Sequence, residues 1–330
     1  TTPSGTPFSD AFDWAHRFQY ALGTPNNVSG TEVCNWHKDT AHAFTVGSSI
    51  LYPDYNNADT IVLWGFNPSA VWLDQATQVA EARSRGATII AVDPRDAGYA
   101  RDANHWLRVR PGMDGTLIMG IANIVISQGG YDDEFLTQWS NGPFLVSGSS
   151  GLFLRSRDLT DGEGDDYIAL SRSGDLVRLP AKMEELTELP SDLALRGQVT
   201  VETIVGSVRC KTAFAYYADT AANYTLERTV QETGIEAEKI QAAADALMNA
   251  NSVCYYGWTG IAQNCNASQI DRALATLMSM TGSYDRTGGN VAFTRHRTNS
   301  ILGFDLLSQE QRDKALGLTE RPLGPPAEAM

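Results

Sequence analysis

Cys34 and His37 are the residues whose types and spacing most directly suggest chemistry. They lie three residues apart, with Lys38 beside the histidine, in a segment that precedes a helical stretch. Nearby positive charge and a helix N-terminus both favour the thiolate form of cysteine, which is the form that binds metals and attacks electrophiles. The spacing is equally compatible with a buried structural cysteine. Cys34 is therefore a candidate metal ligand or nucleophile, with a structural role as the alternative.

A strand–turn–helix–strand unit over residues 59–95 is the first element that could position a ligand. The residue pattern predicts a strand over 60–64, a turn over 65–68, a helix over 69–85 and a strand over 88–92. The turn offers free backbone N–H groups to a phosphate, and Asp93 at the end of the second strand can accept hydrogen bonds from hydroxyls or a base. The turn is not a GxGxxG loop, so a parallel α/β domain that binds nothing at this edge is the alternative.

Two later strand ends repeat the arrangement. A predicted strand over 105–109 is followed by Gly112 and Asp114, and a predicted strand over 252–256 is followed by a glycine loop and a helix over 268–280. The carboxyl ends of parallel strands meet at one edge of a sheet, where open α/β domains bind ligands. The strand ends together therefore indicate a ligand-binding edge better than any one of them does.

These elements predict the fold class and the domain boundaries. We expect an α/β fold with a three-layer, doubly wound, mostly parallel sheet (Rossmann-like) and an inserted β-hairpin segment over 143–180, followed by helical periodicity over about 201–223. The predicted units are a lead-in belonging to a neighbouring domain, a dinucleotide-binding α/β domain and a partial return segment to a neighbouring domain, over residues 1–30, 31–285 and 286–330.

Composition excludes several function classes. The chain has 330 residues, an apolar content of 42% and a net charge of −14. Such an acidic balance argues against a nucleic-acid partner or an anionic membrane surface, since both require clustered Lys and Arg. No apolar run reaches the roughly 20 residues of a membrane span, and no secretory signal is expected at the N-terminus. The four cysteines lack the close paired spacing of a zinc site or a disulfide framework.

Taken together, the motifs resemble those of the molybdopterin oxidoreductases of the dimethyl sulfoxide reductase family. These enzymes carry molybdenum or tungsten on two molybdopterin guanine dinucleotides. The motifs that carry the resemblance are, in order, Gly23–Asn27 leading to Cys34, Leu63–Pro68, Val92–Arg95, Arg110–Asp114 and Thr281–Val291.

The resemblance implies roles for particular residues. Cys34 is the implied metal ligand, and a thiolate suits either metal. His37, near this ligand, is a candidate proton donor or acceptor; some relatives place His directly after the ligand, whereas here Asn35 and Trp36 intervene. The implied cofactor-binding residues are Trp64, Gly65, Asn67 and Pro68 on the diphosphate, Asp93 and Arg95 on the ribose side, Gly112 and Asp114 in the guanine-reading motif, and Gly260 and Gln263 at the pterin.

The resemblance also implies partners, and the sequence departs from the family pattern near its start. Members usually begin with a cysteine-rich segment for a 4Fe–4S cluster, and its C-x₂-C-x₃-C spacing is absent from this sequence. We therefore expect a partial chain, inactive alone, whose cluster lies in a missing N-terminal part. The expected partners are a small-molecule substrate and an electron-transfer iron–sulfur subunit, in a soluble protein of the cytoplasm or periplasm, without nucleic acid or direct membrane insertion.

Two alternative functions remain open from the sequence. A non-redox hydratase or transhydroxylase would keep the same cofactor but change the reaction. A non-catalytic nucleotide-binding or assembly domain would leave the edge of the sheet empty, with the glycine loops serving only as turns.

Overall fold

The fold is built on a parallel sheet, with helices and smaller antiparallel sheets around it. The computed structural model describes residues 10–26, 37–48, 50–160, 162–182, 190–292 and 301–315. Within these residues the strands are β1 (Tyr52–Pro53), β2 (Thr60–Trp64), β3 (Thr88–Val92), β4 (His105–Leu107), β5 (Leu145–Ser147), β6 (Tyr167–Leu170), β7 (Leu176–Leu179), β8 (Gln198–Thr203), β9 (Gly206–Thr212), β10 (Val253–Gly257) and β11 (Asn290–Val291).

The helices lie between these strands. In chain order they are α1 (Asp10–Ala21), α2 (His42–Val46), α3 (Pro68–Val71), α4 (Leu73–Ser84), α5 (Tyr99–Asp102), α6 (Asp114–Gln128), α7 (Asp133–Trp139), α8 (Ala213–Ala221), α9 (Leu226–Thr233), α10 (Ala237–Met248), α11 (Thr259–Ala262), α12 (Ala267–Ser279) and α13 (Gln309–Arg312). A π-helix, His37–Ala41, leads directly into α2. Among the described residues, none of the helices combines the length and apolar character that crossing a membrane requires.

The largest sheet has the strand order β10–β2–β3–β4, and all of its neighbouring strands are parallel. Every residue of β2 and β10 is buried. Parallel strands are covered on both faces and therefore read as continuous apolar runs in a sequence. The strands predicted over 60–64 and 88–92 are confirmed, whereas β4 ends at Leu107, before its predicted end at residue 109.

The strand order reverses next to β2. The chain builds β2, β3 and β4 in one direction and later returns to place β10 on the other side of β2. In open α/β sheets the loops on the two sides of such a reversal diverge and leave a crevice at the carboxyl ends of the strands. The strand order therefore predicts a ligand crevice between the loop after β2 and the loop after β10.

The helix predicted over 69–85 is interrupted. Trp72 separates α3 from α4 and has φ −138° and ψ 86°, outside the helical region. Its ring lies 5.0 Å from that of Trp258 and 5.6 Å from that of Tyr256, measured between centroids. Aromatic packing beside the crevice therefore outweighs local helical periodicity at this position.

The helix predicted from about residue 201 is wrong over its first half. Residues 198–212 form the antiparallel hairpin β8–β9, which joins β5 in a three-stranded sheet, and a helix begins only at Ala213. The hairpin buries Val201, Val208 and Cys210 in a separate hydrophobic cluster with Leu145 and Ile168. The hairpins thus extend beyond the predicted boundary at residue 180, because long-range strand pairing outweighs local pattern.

The glycine-rich stretch over 281–291 covers the outer edge of β10. The side-chain oxygen of Asn290 accepts from Tyr255 N at 2.9 Å, and its amide nitrogen donates to the carbonyl oxygens of Tyr255 and Leu51, both at 2.9 Å. Ser283 Oγ accepts from Val253 N at 3.1 Å. Side chains thus take the place of a neighbouring strand and satisfy backbone groups that an open sheet edge would leave unpaired.

Gly260 provides a test of how closely the two sides of the sheet reversal are packed. A Cβ at this position would lie 2.5 Å from Gly65 Cα, whereas a Cβ at the helical Gly115 would make an ordinary contact of 3.7 Å with Ile270. We expect Gly260→Ala to lower the free energy of unfolding by about 1–3 kcal/mol through overpacking. Gly115→Ala is the matched control and should be neutral or stabilising. Equal urea-unfolding midpoints for the two variants would contradict this packing.

Candidate cofactor-binding site

The structure brings all of the predicted cofactor-binding residues to the carboxyl edge of the parallel sheet. The loops after β2, β3 and β10 and the segment between β4 and α6 carry them. Of these residues, Gly112, Gly260 and Gln263 are exposed, while Trp64 and Asp114 are buried. This edge of the sheet therefore has exposed backbone next to a buried carboxylate.

Two of the predicted residues, Gly65 and Gly260, contact each other through the backbone. Gly260 N donates to Gly65 O at 3.0 Å, and the preceding pair is joined by Trp258 N donating to Trp64 O at 3.2 Å. Gly65 has φ +58°, a conformation that favours glycine, and a Cβ on either residue would overlap the other backbone. The two loops therefore meet closely at the base of the crevice.

Trp64 and Asp114 form a buried hydrogen-bonded pair. The indole N–H of Trp64 donates to Asp114 Oδ1 at 2.9 Å, and the two residues are 1% and 7% exposed. Burial raises the pKa of Asp114, although hydrogen bonds from Trp64 and Asn264 act in the opposite direction. Asp114 is the first residue of α6, whose N-cap position is Met113. Asp114 is thus a buried carboxylate rather than a solvated N-cap residue.

Asp93 and Arg95 pair with each other. Asp93 Oδ1 accepts from the backbone N–H of Arg95 at 2.8 Å and from its Nε at 3.3 Å. The Arg95 side chain is 70% exposed, whereas that of Asp93 is 10% exposed. Trp106 Nε1 donates to the Asp93 carbonyl oxygen at 2.8 Å and fixes the end of β3. The pair presents a solvent-accessible guanidinium held by a nearly buried carboxylate.

Asn67 and Pro68 form the start of α3. Asn67 Oδ1 accepts from Ser69 Oγ at 2.6 Å, and Pro68 occupies the first helical position, where its fixed φ and missing N–H are tolerated. Gly98 has φ +55°, a conformation that favours glycine, and a Cβ there would lie 2.3 Å from the Asn67 amide. A cleft of about 580 Å³ opens beside this contact and is lined by residues that include Ser69, Arg83 and Tyr99.

The structure describes only one of the two predicted catalytic residues. Cys34 lies outside the described residues. His37 begins the π-helix and is 1% exposed, with Nδ1 3.5 Å from Asp271 Oδ1. Among the described residues, neither ring nitrogen of His37 has a hydrogen-bond partner. Burying an imidazole without hydrogen-bond partners costs free energy on folding unless another group supplies the missing hydrogen bond.

Sequence reasoning missed a set of buried polar residues next to His37. Asp271 on α12, His42 on α2 and Tyr255 on β10 are all buried and connected by hydrogen bonds. The available signal was Asp271 itself, because it falls on the apolar face of an amphipathic helix between Ile270 and Leu274. Aspartate is seldom fully buried without a partner.

Asp114 gives a pH-dependent prediction for folding. Because its pKa is raised on folding, the folded chain binds this proton more tightly than the unfolded chain, and stability falls as the pH rises above the ordinary carboxyl value. Asp114→Asn removes this contribution. Between about pH 4 and pH 7 the melting temperature of the variant should therefore rise relative to that of the wild type. Asp96→Asn, at an exposed aspartate, is the control. A constant difference across this range would contradict the burial effect.

Comparison with known proteins finds a matching family model and several similar proteins. A family model for molybdopterin oxidoreductases matches residues 12–320. Dimethylsulfide dehydrogenase subunit alpha of Rhodovulum sulfidophilum is 30% identical over 238 residues, which cover 70% of this chain and 26% of that protein. Respiratory nitrate reductase subunit alpha of Haloferax mediterranei is 27% identical over 299 residues, which cover 81% of this chain and 30% of that protein. The chain thus spans between a quarter and a third of the length of these relatives.

A solved structure shares the fold. Acetylene hydratase from Pelobacter acetylenicus superposes with a TM-score of 0.62 and 18% identity, over 93% of this chain and 33% of that one. This likeness concerns the fold, whereas the family model extends over most of the sequence. The chain belongs to the molybdopterin oxidoreductases of the dimethyl sulfoxide reductase family.

Proposed function

We propose that this chain is the central part of the catalytic subunit of a molybdenum- or tungsten-dependent oxidoreductase. Its crevice binds a molybdopterin guanine dinucleotide, and Cys34 is a ligand of the metal. The observation that carries this proposal is the buried Trp64–Asp114 pair at the carboxyl edge of the parallel sheet. Open α/β sheets bind nucleotides at this edge, and the reversal of strand order supports a three-layer, doubly wound arrangement.

Asp114 suits the guanine end of the cofactor. Guanine presents two parallel N–H donors, which one carboxylate can accept together and adenine cannot imitate. Trp64 holds one oxygen in place. The Asn264 amide, which acts to lower the pKa of Asp114, donates to the carbonyl oxygens of Gly260 and Ile261, both at 3.2 Å.

The neighbouring loops suit the ribose and diphosphate. In the turn from Gly65 to Pro68, the Gly65 N–H donates to Val92 O and Pro68 has no N–H, so Phe66 and Asn67 supply the backbone N–H groups at the start of the helix, where an anion is favoured. Arg95 adds an exposed guanidinium, and the cleft beside Ser69 provides room of about 580 Å³. The exposed Gly260 and Gln263, on the other side of the crevice, are the proposed pterin contacts.

The metal end of the cofactor lies with Cys34 in this proposal. When bound, molybdenum or tungsten supplies two-electron redox chemistry to a small-molecule substrate. A cysteine thiolate is a soft ligand that either metal accepts. His37, three residues further along the chain, holds or moves a proton at a ring nitrogen. Its lack of partners among the described residues supports this role.

Further components are proposed for the complete enzyme. Both curated relatives are alpha subunits by name, which supports an assembly with other subunits. We infer an electron-transfer iron–sulfur subunit and a 4Fe–4S cluster in a part of the protein beyond this chain.

A hydratase is the second candidate function. The fold likeness to acetylene hydratase favours it over other non-redox reactions of the same cofactor. A redox-dye assay with candidate substrates distinguishes the two, since hydration transfers no electrons to the dye. A non-catalytic binding domain is the third candidate, and elemental analysis of the full-length protein separates it from both.

Cys34→Ala tests the proposed ligand. In the full-length enzyme we expect turnover to be lost while the melting temperature stays close to that of the wild type, because a ligand rather than a core group is removed. Cys265→Ala is the matched control, since Cys265 is an exposed free cysteine. Full activity of Cys34→Ala with metal bound would show that Cys34 is not the ligand.

Asp114→Asn tests the guanine assignment. The substitution replaces one acceptor oxygen by a donor that faces the guanine N–H groups, so binding of guanosine diphosphate should weaken by about 2–4 kcal/mol. Titration calorimetry at pH 7 measures this loss, with Asp96→Asn as the control at an exposed site. Unchanged affinity combined with a clearly lowered melting temperature would assign Asp114 a purely structural role.

A further inference from the structure

A chain of buried polar side chains connects α12, α2 and the outer edge of β10. Asp271 Oδ2 contacts His42 Nδ1, His42 Nε2 contacts the Tyr255 hydroxyl, and this hydroxyl contacts that of Tyr284. The side chains of Asp271 and His42 are both 0% exposed. The proposed function leaves this network without a role.

The carboxylate fixes the direction of the first hydrogen bond. A carboxylate only accepts, so His42 Nδ1 carries a proton and donates it to Asp271. For a neutral His42 ring, Nε2 accepts from the Tyr255 hydroxyl, and the Tyr255 oxygen accepts from Tyr284. Both nitrogens of His42 are therefore satisfied within the protein.

The other oxygen of Asp271 faces His37. His37 Nδ1 lies 3.5 Å from Asp271 Oδ1. Burial by itself would raise the pKa of Asp271, but the interactions with His37 and His42 outweigh burial and the pKa lies below its ordinary value. An ionised carboxylate therefore stands between two imidazoles.

The two histidines differ in their hydrogen-bond partners. His42 has Asp271 on one nitrogen and Tyr255 on the other, whereas among the described residues His37 has only the long contact with Asp271. With its Nδ1 proton directed at the carboxylate, the neutral His37 ring keeps Nε2 as an acceptor. Such an arrangement leaves one nitrogen of His37 available to a group outside the network.

We propose that Asp271 is a positioning residue that holds His37 in the Nδ1–H tautomer, so that Nε2 exchanges a proton during turnover. His42, Tyr255 and Tyr284 have a structural role in the network and hold the carboxylate in place. This inference rests on the proposed function, in which His37 handles a proton.

Unfolding of the full-length protein separates the two histidines. His42→Leu leaves the Asp271 carboxylate and the Tyr255 hydroxyl without their partner and should lower the melting temperature by roughly 5–10 °C. His37→Leu removes only the long 3.5 Å contact with Asp271 and replaces a buried imidazole by an apolar group of similar size, so the melting temperature should fall clearly less than that of His42→Leu. Equal losses for the two variants would overturn the distinction.

Steady-state kinetics of Asp271→Asn test the positioning role. The substitution keeps the shape but presents a donor to one of the two imidazoles, so we expect kcat to fall by about 100-fold, with KM within about twofold of the wild type. Metal content should match the wild type, because the metal site is not altered. Unchanged kcat, or loss of metal together with kcat, would contradict the proposal.

The two proposals fail differently. A wild-type protein that carries neither molybdenum nor tungsten contradicts the proposed function. The melting temperatures of His37→Leu and His42→Leu still decide whether the network has one structural and one available histidine. A metal-loaded wild type with full turnover in Asp271→Asn contradicts the positioning role alone.

Discussion

The backbone hydrogen bond from Gly260 N to Gly65 O joins the two sides of the parallel sheet at its carboxyl edge. The strands that it follows, β10 and β2, are far apart in the sequence but adjacent in the sheet. Neither position has room for a Cβ, so the closeness of the two loops depends on glycine at both. The crevice, and every predicted cofactor contact on its two sides, depends on this approach.

The pKa values of the two buried carboxylates near the crevice are shifted in opposite directions. Asp271 faces two histidines, which outweigh the cost of burial and lower its pKa. Asp114 has an indole and an amide as side-chain donors, and burial prevails, so its pKa is raised. A carboxylate in the second situation gains from additional N–H donors, whereas one in the first is already compensated. This contrast supports Asp114 as the group that meets a ligand and Asp271 as a group that works through a neighbour.

Sequence reasoning was most reliable where burial alone determines the pattern. β2 and β3 are apolar throughout because helices or loops cover both faces of the sheet, and their bounds were predicted from that. The hairpin β8–β9 was mistaken in part for a helix, since Val201 and Val208 are buried by pairing with distant segments rather than by local periodicity. The break at Trp72 likewise comes from aromatic neighbours that lie far away in the chain.

The candidate site was predictable in outline only. Sheet topology brings the strand-end loops to one edge, so Gly65, Asp93 and Asp114 could be grouped in advance. The hydrogen bond from Trp64 to Asp114 depends on how α6 starts against β2, which no local pattern encodes. The network around Asp271 depends on the packing of α12 against the π-helix, and a single aspartate on an apolar helix face was its only trace. Cys34 stays a prediction outside the described residues.

The central claim is that this crevice holds the guanine dinucleotide form of a molybdopterin cofactor. Acid treatment of the purified full-length protein, followed by nucleotide chromatography and elemental analysis of the same sample, tests it most directly. The account predicts that guanosine monophosphate is released from protein that also contains molybdenum or tungsten. Release of a different nucleotide, or of none from metal-loaded protein, would contradict it.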